Sequence, residues 1–417
     1  MFLFLLGISL LSETAYSQGN CDFKSINEFY NKLNASNPIQ EQIKKRVSEV
    51  ESSIDLAKQR PNPVIDTEYL KGNQFGIDIN NIQVTAQHIY EFGSKRNKRI
   101  EEAQLSASIE KRLLNLKGVE TTVGYALKYQ RVAQLTIVID AVKEAISTFE
   151  KVIGKLSSRT GLTPEERVSL LTLRLASSDY KAKLNDLENE KTLLGGELTF
   201  ITGCETFNPQ YSSLPYGQLL PPLKNLSSTE SGLVSVENLK IKQSEADLAV
   251  QKSLGYSNIA IGPVVEYQTQ GNDKFLSAGV AVTFDLPLFH TNDAGKLNAA
   301  RRMAAQKIES TNSIRNLNLK KAMLIQKYER SVKVLSQMTT LERLNKQHSE
   351  VERLFARGIV SIPMTIESHR QHIDFLESRF ETENDLLVSL EEVVFIRGET
   401  QLLEDLFNIT TKNQGPR

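Results

Sequence analysis

One uninterrupted helical pattern, covering residues 95–159, constrains the fold more than any other feature. As a single α-helix this stretch would extend about 98 Å, at about 1.5 Å per residue. In its second half, apolar side chains follow the steps of three and four that are typical of coiled coils, at Val132, Leu135, Ile139, Val142, Ile146, Phe149, Ile153 and Leu156. A compact core has no room for such a helix, so the sequence predicts an elongated molecule with a long packed seam.

A second heptad seam is predicted near the carboxyl end of the chain. Its apolar positions are Ile366, Ile373, Leu376, Phe380, Leu387, Leu390 and Val394, and Glu383 interrupts them. Between the two seams, Gly161 ends one helix, and Thr163 and Pro164 with Glu166 predict a capping box that starts the next. The helices are therefore expected to form antiparallel hairpins.

Strand patterns with a period of two stand between the helices. Apolar side chains alternate with small or polar ones at Leu276, Ala278, Val280, Val282 and Phe284, which predicts a strand with one continuous apolar face. We predict two β-hairpins, at 64–89 and 257–288, with turns at 72–74 and 270–273. A change of parity at Asn80-Asn81 predicts a β-bulge in the first hairpin.

The same order of elements occurs twice along the chain. The first repeat, 18–206, contains a helix that starts at Asn37-Pro38, the first hairpin, and a long helical hairpin with its tip at 159–166. A proline-containing connector follows at 207–228. The second repeat, 229–408, contains a helix, the second hairpin, a long helix over 293–357, a tip at 357–363 and a returning helix, and 409–417 is predicted to be a disordered tail.

The amino-terminal residues resemble a secretory signal peptide. An apolar run is followed by Ala15-Tyr16-Ser17, which predicts cleavage after residue 17, and a buried amino-terminal helix is the alternative. No later run of about 18 apolar residues is present. The two cysteines, Cys21 and Cys204, form either one disulfide or two free thiols, because spacing alone does not decide between them.

Charge and motifs exclude several functions. Lysine plus arginine equals aspartate plus glutamate, 50 each, which does not favour a nucleic-acid partner. The chain lacks a P-loop, a G-x-S-x-G motif and an H-E-x-x-H motif, so we expect neither enzyme activity nor a cofactor. His369 and His372 are spaced to share a helix face, but two ligands do not complete a metal site, and solvated or tunnel-lining polar groups are the simpler interpretation.

Four strands cannot close a membrane barrel, whereas three chains would supply about twelve strands.

Several sequence features carry a family resemblance: Asn37-Pro38, Pro61-Asn62-Pro63, Gln87 with 93–96, and 282–289 followed by Gly295-Lys296. In order and duplication these features resemble the TolC-type outer-membrane efflux family, and within it the heavy-metal and cation branch. The alternative from another class is a periplasmic coiled-coil scaffold or adaptor without a pore.

The resemblance implies a mainly α-helical, trimeric channel-tunnel in the outer membrane of a Gram-negative bacterium. A twelve-stranded transmembrane β-barrel would continue into a long α-helical barrel across the periplasm. The channel would passively conduct heavy-metal cations or small toxic organic molecules from an inner-membrane pump of the RND class and a periplasmic adaptor (membrane-fusion) protein. The resemblance assigns adaptor docking to Arg159, Gly161, Leu162, Thr163, Pro164, Arg357, Gly358, Ser361 and Pro363, and lipid contact to Leu276, Val280, Val282 and Phe284.

Overall fold

The computed structural model describes residues 23–36, 38–204, 209–211, 232–289 and 291–398. The expected signal peptide, the Asn37 cap, Cys21, most of the 207–228 connector and the expected tail at 409–417 lie outside the described residues. In chain order the elements are α1 (Ile26–Ser36), α2 (Pro38–Lys58), β1 (Val64–Gln74), β2 (Ile77–Tyr90), α3 (Lys95–Ser157), α4 (Pro164–Thr202), α5 (Leu233–Ser253), β3 (Ile259–Gln270), β4 (Asp273–Phe284), α6 (Asp293–Gln337), α7 (Leu341–Ala356) and α8 (Ile362–Arg397).

The elements repeat in the order helix, β-hairpin, long helix and returning helix, with α1 as an addition that the sequence patterns did not predict. The predicted single helix over 293–357 is wrong, because the chain breaks between α6 and α7. Met338 is extended, and the Thr340 hydroxyl accepts a hydrogen bond from the Arg343 amide at 3.3 Å, which caps α7. None of the described helices is long and apolar enough to cross a membrane.

The helices pack as an elongated layer around α3. Along one half of its length α3 contacts α2 and α5, and along the other half it contacts α4 and α8. Helix α6 then packs on α5 and α8. In the half away from the strands, α4 and α6 therefore lie on opposite sides of the α3–α8 pair.

The predicted heptad seams are buried, as expected. On α3, Leu135, Val142 and Phe149 are fully inaccessible to solvent, and on α8, Phe380 is equally buried. These side chains pack with the inward residues of α4 into one core cluster. Because burying one large apolar side chain contributes about 1.5–3 kcal/mol, the seams are the main source of stability in this half of the molecule.

Glu383, which interrupts the second seam, is fully buried. The Arg379 Nε atom lies 3.3 Å from its Oε1, and the Tyr211 hydroxyl donates to the same carboxylate at 2.9 Å. Gln134 of α3 donates to Oε2 at 3.1 Å. Arg379 also donates to the Thr339 carbonyl at 3.0 Å, so this buried polar group holds the break between α6 and α7 against α8.

We expect Glu383→Ala to lower the free energy of unfolding by about 3–5 kcal/mol, because it leaves the Arg379 charge buried without its carboxylate. Chemical denaturation followed by circular dichroism measures the change. The control is Glu367→Ala on the same helix, where the carboxylate pairs with Arg370 in solvent. We expect little change there, since water screens the exposed pair. Equal effects of the two substitutions would contradict the buried network.

Candidate functional site

The two β-hairpins join in one antiparallel sheet in the order β1-β2-β3-β4. The β1–β2 register runs unbroken from Val64 opposite Gln87 to Gln74 opposite Ile77. The predicted bulge at Asn80-Asn81 is therefore wrong. The turn also lies further along than predicted, at Phe75 and Gly76, whose φ angles of 52° and 81° are typical of a two-residue hairpin turn. As a result Ile77 is on the opposite face from Ile82.

The register aligns apolar side chains on one face of the sheet. Tyr69 stands opposite Ile82, Ile82 opposite Tyr267, and Tyr267 opposite Leu276, so one apolar row crosses all four strands. The exposed fraction is 75% for Leu276 and 73% for Val280. We call this surface the apolar sheet face, which comprises Ile65, Tyr69, Ile82, Val84, Ile261, Val265, Tyr267, Leu276, Val280, Val282 and Phe284, all exposed.

The other face of the sheet carries amide, hydroxyl and carboxylate groups. The Asn81 side-chain amide donates to Glu266 at 2.7 Å, from β2 to β3. The Gln87 amide donates to the Thr283 hydroxyl at 3.0 Å, from β2 to β4. We call this surface the polar sheet face, and its members include Asn81, Gln83, Thr85, Gln87, Glu266, Ser277 and Thr283. The sheet is thus amphipathic across its thickness.

Both outer strands of the sheet have an unpaired edge. Among the described residues, β1 pairs with β2 alone and β4 with β3 alone. Backbone donors and acceptors along these two edges are available to another strand. The sheet therefore has an exposed apolar face and two open edges.

Left-handed residues redirect the chain where the strands pass into long helices. Ser94, with φ of 58°, precedes α3, and Asn292, with φ of 57°, precedes α6. The Asn292 side chain donates to the Gln251 carbonyl at 2.8 Å and so ties this passage to α5. The two passages are therefore equivalent at Ser94 and Asn292.

The first helical tip connects α3 to α4. The Thr163 hydroxyl accepts from the Glu166 amide at 3.1 Å, and the Glu166 carboxylate accepts from the Thr163 amide at 3.0 Å, which forms the predicted capping box. Arg159 pairs with the same carboxylate at 2.7 Å. The Thr163 hydrogen bonds, followed by Arg159, hold the pKa of Glu166 below its usual value. Gly161 has a φ of 96°, which explains the glycine in this turn.

The second helical tip connects α7 to α8. The Gly358 amide donates to the Phe355 carbonyl at 2.9 Å, and the Ile359 amide donates to the Leu354 carbonyl at 3.1 Å. Gly358 has a φ of 74°, while no atom lies within 4 Å of an added Cβ, so backbone conformation rather than crowding requires glycine here. Ile359 is 67% exposed. Because α3 alone extends about 95 Å, the tips lie far from the sheet.

The predicted pair His369 and His372 is not solvated, because both side chains are buried in the interior, at 1% and 8% exposure. They face His348 and Glu352 of α7, which the sequence analysis did not single out. The sequence did contain a signal for this cluster, because His348 and Glu352 are four residues apart and share a helix face.

Cys204 is buried, but Cys21 lies outside the described residues, so the disulfide stays a prediction.

No family model and no curated protein matches the sequence. Solved structures do match. The chain is similar to the outer-membrane channel OprN, with a TM-score of 0.67 and 11% identity over 94% of this chain and 96% of that one. It is also similar to the outer membrane protein VceC of Vibrio cholerae, with a TM-score of 0.63 and 9% identity over 89% and 96% of the two chains.

The open state of the Neisseria gonorrhoeae outer membrane channel MtrE is a third similar structure, with a TM-score of 0.63 and 11% identity over 92% of this chain and 88% of that one. At such low identity the similarity establishes the fold. The chain has the TolC-like channel-tunnel fold, in which a mainly helical subunit carries a small antiparallel four-stranded sheet.

Removing the cap of α4 should loosen the first tip. We expect Thr163→Ala to destabilise the start of α4 by about 1 kcal/mol and to raise the rate of tryptic cleavage after Arg159 about fivefold. Mass spectrometry of timed digests measures that rate. The control is Thr172→Ala, because that exposed hydroxyl bonds only to the Val168 carbonyl within α4. Unchanged cleavage in Thr163→Ala would contradict the role of the capping box.

Proposed function

We propose that this chain is one subunit of a trimeric efflux channel in the outer membrane of a Gram-negative bacterium. The observation that carries the proposal is the amphipathic sheet, with its exposed apolar face and two open edges, at one end of an elongated helical body. The similarity to OprN, VceC and MtrE supports the same conclusion.

Lipid is the environment that fits the apolar sheet face. Leu276, Val280, Val282 and Phe284 project from the β4 edge of the sheet, and more than half of each side chain is exposed. In hydrocarbon each strand edge must be paired, because no water is present to bond with its amide and carbonyl groups. Three copies of the sheet would supply about twelve strands and close a barrel without an edge.

The polar sheet face would then line a water-filled lumen. Its hydrogen bonds between strands, such as that from Asn81 to Glu266, would hold side chains against the wall and leave the centre open. Conduction through such a lumen is passive and requires no catalytic group. We propose that the cargo is a small toxic organic molecule or a heavy-metal cation delivered by an inner-membrane pump of the RND class.

The helical surfaces support assembly from several copies. Large apolar side chains are exposed on both outer helices of the layer, at Leu193 and Phe200 of α4 and at Leu319 and Met323 of α6. Because α4 and α6 lie on opposite sides of the α3–α8 pair, the α4 of one copy could cover the α6 of the next. A closed ring of three copies would bury these stripes and form the helical tunnel.

We assign docking of a periplasmic adaptor to the two helical tips. They lie at the end of the molecule that is remote from the sheet, so they would point into the periplasm when the sheet is in the outer membrane. Arg159 and Ile359 offer exposed charge and apolar surface there. The capping box and the Gly358 turn present these residues on ordered backbone.

A scaffold without a pore is the alternative function. It would use the long helices equally well, but it leaves the apolar sheet face uncovered in water. An exposed patch of that kind is an aggregation hazard in a soluble protein. The channel proposal accounts for both the helices and the sheet.

Fractionation and conductance test the channel directly. We expect the full-length protein to sediment with outer membranes, to migrate as a trimer after mild detergent extraction, and to produce ion-conducting pores in planar lipid bilayers. Recovery of a soluble monomer that produces no conductance in planar bilayers would overturn the proposal.

One matched pair of substitutions on β4 tests which face meets lipid. We expect Val280→Arg to reduce the yield of membrane-inserted trimer strongly, since a cation on the lipid side of a barrel costs about 2–4 kcal/mol near the bilayer midplane. The control is Ser277→Arg, on the polar sheet face of the same strand, which should insert normally and alter conductance. Normal insertion of Val280→Arg with poor insertion of Ser277→Arg would show that the polar sheet face, and not the apolar sheet face, meets lipid.

A further inference from the structure

Three histidines and a glutamate converge where α7 packs on α8. The ring centroid of His348 lies 4.8 Å from that of His369 and 4.3 Å from that of His372. Glu352 places its Oε1 atom 2.8 Å from Nε2 of His369. One nitrogen or oxygen atom from each of His348, Glu352 and His369 lies within 4.8 Å of the others. Three groups with metal-ligating atoms therefore surround one small volume, and the His372 ring lies beside one of them.

These groups are buried and short of partners. The exposed fraction is 8% for His348, 1% for His369 and 8% for His372. Nδ1 of His348 and Nδ1 of His372 make no hydrogen bond with the described residues, and the contact between Nε2 of His369 and Oε1 of Glu352 does not have hydrogen-bond geometry. Proteins rarely leave buried polar atoms in this state, because desolvation without a partner is costly. A cation bound between these groups would give them a partner.

We propose that His348, Glu352 and His369 bind a divalent transition-metal ion with the ligand preferences of Zn²⁺, and that His372 or water occupies the fourth position. Two imidazoles and a carboxylate are a recognised donor set for zinc, whereas Mg²⁺ and Ca²⁺ prefer oxygen atoms alone. In a tetrahedral site with bonds near 2.0–2.1 Å, ligand atoms lie about 3.4 Å apart. Side-chain rotations that move the ligand atoms by about 1 Å would bring them to this spacing. Such a movement is easiest for Glu352, which is only half-buried.

Helix α3 supports the site from behind. The Phe149 ring packs edge-on against His369, with centroids 5.4 Å apart. The Glu144 carboxylate lies 3.6 Å from Nε2 of His348, on the side of the ring away from Nδ1. The ligands therefore stand on rigid helices.

The ion would join the two helices that border the second tip. His348 and His369 lie within about 12 Å of the helix ends at Ala356 and Ile362. Helix α7 is short and is separated from α6 by the break at Met338. A metal bond to α8 would hold α7 in place and order the turn at Gly358. This ion is a resident structural group, so the inference does not depend on the cargo of the channel.

Metal titration of the full-length protein in detergent tests the site. After chelator treatment and dialysis, we expect one Zn²⁺ per chain by calorimetry, and Co²⁺ in its place should show the intense visible absorption of tetrahedral coordination. Glu352→Gln, a nearly isosteric change, should weaken binding by at least about tenfold. His348→Ala should remove the Co²⁺ absorption.

The matched controls are Glu350→Gln and His88→Ala. Glu350 is an exposed neighbour on α7 that pairs with Arg353, and His88 lies on β2. Both variants should bind Zn²⁺ as the unmodified chain does. A chain that binds no Zn²⁺ saturably, or a Glu352→Gln variant that binds as tightly as Glu350→Gln, would overturn the site.

Limited proteolysis provides a readout that does not depend on variants. Zn²⁺ should slow tryptic cleavage after Arg357 in the unmodified chain, because it links α7 to α8, while cleavage after Arg159 in the first tip serves as the internal reference. Equal cleavage at Arg357 with and without bound Zn²⁺ would overturn the proposed link between the helices.

Discussion

The burial of α3 between neighbours on both sides is the constraint on which the rest of the structure depends. Near the strands α3 packs on α2 and α5, and beyond them it packs on α4 and α8. Helices in proteins take most of their stability from packing of an apolar face, so the seam of α3 depends on these neighbours. The same continuous helix carries the sheet at one end and a tip at the other, and its rigidity determines the separation between them.

Polar groups inside the α8 seam add specificity that apolar packing lacks. Glu383 bonds to Tyr211 and to Gln134 of α3, and a shift of α8 by one heptad would separate this buried carboxylate from both, while Arg379 moves with it on the same helix. Removing a partner from a buried charge is costly, so these contacts favour the observed register of α8. The histidine cluster on the same helix is a second departure from apolar packing. Both departures lie beside α7, where the long helix of the second repeat is broken.

The sheet is incomplete as a single copy, in contrast to the helical core. Its apolar sheet face has no covering element among the described residues, and its outer strands have one open edge each. Exposed apolar stripes on α4 and α6 show the same incompleteness in the helical part. In the assembly that we propose, copies of the chain cover these strand edges and helix faces. Symmetric assembly would satisfy all these surfaces with one kind of contact.

The sequence by itself determined the features that depend on periodicity and local chemistry: the heptad seams, the alternation of β4, the capping box at Thr163 and the doubled order of elements. Local patterns failed where distant residues decide the outcome. The hairpin turn at Phe75 and the unbroken register of β2 depend on pairing with β1, and the α6–α7 break is held by the contact of Arg379 with Thr339. The three protein ligands of the proposed metal site come from two helices, so only tertiary packing could bring His348 to His369. Periodicity indicates which face of a helix or strand is buried. Which residues pack against that face is decided only when the chain folds.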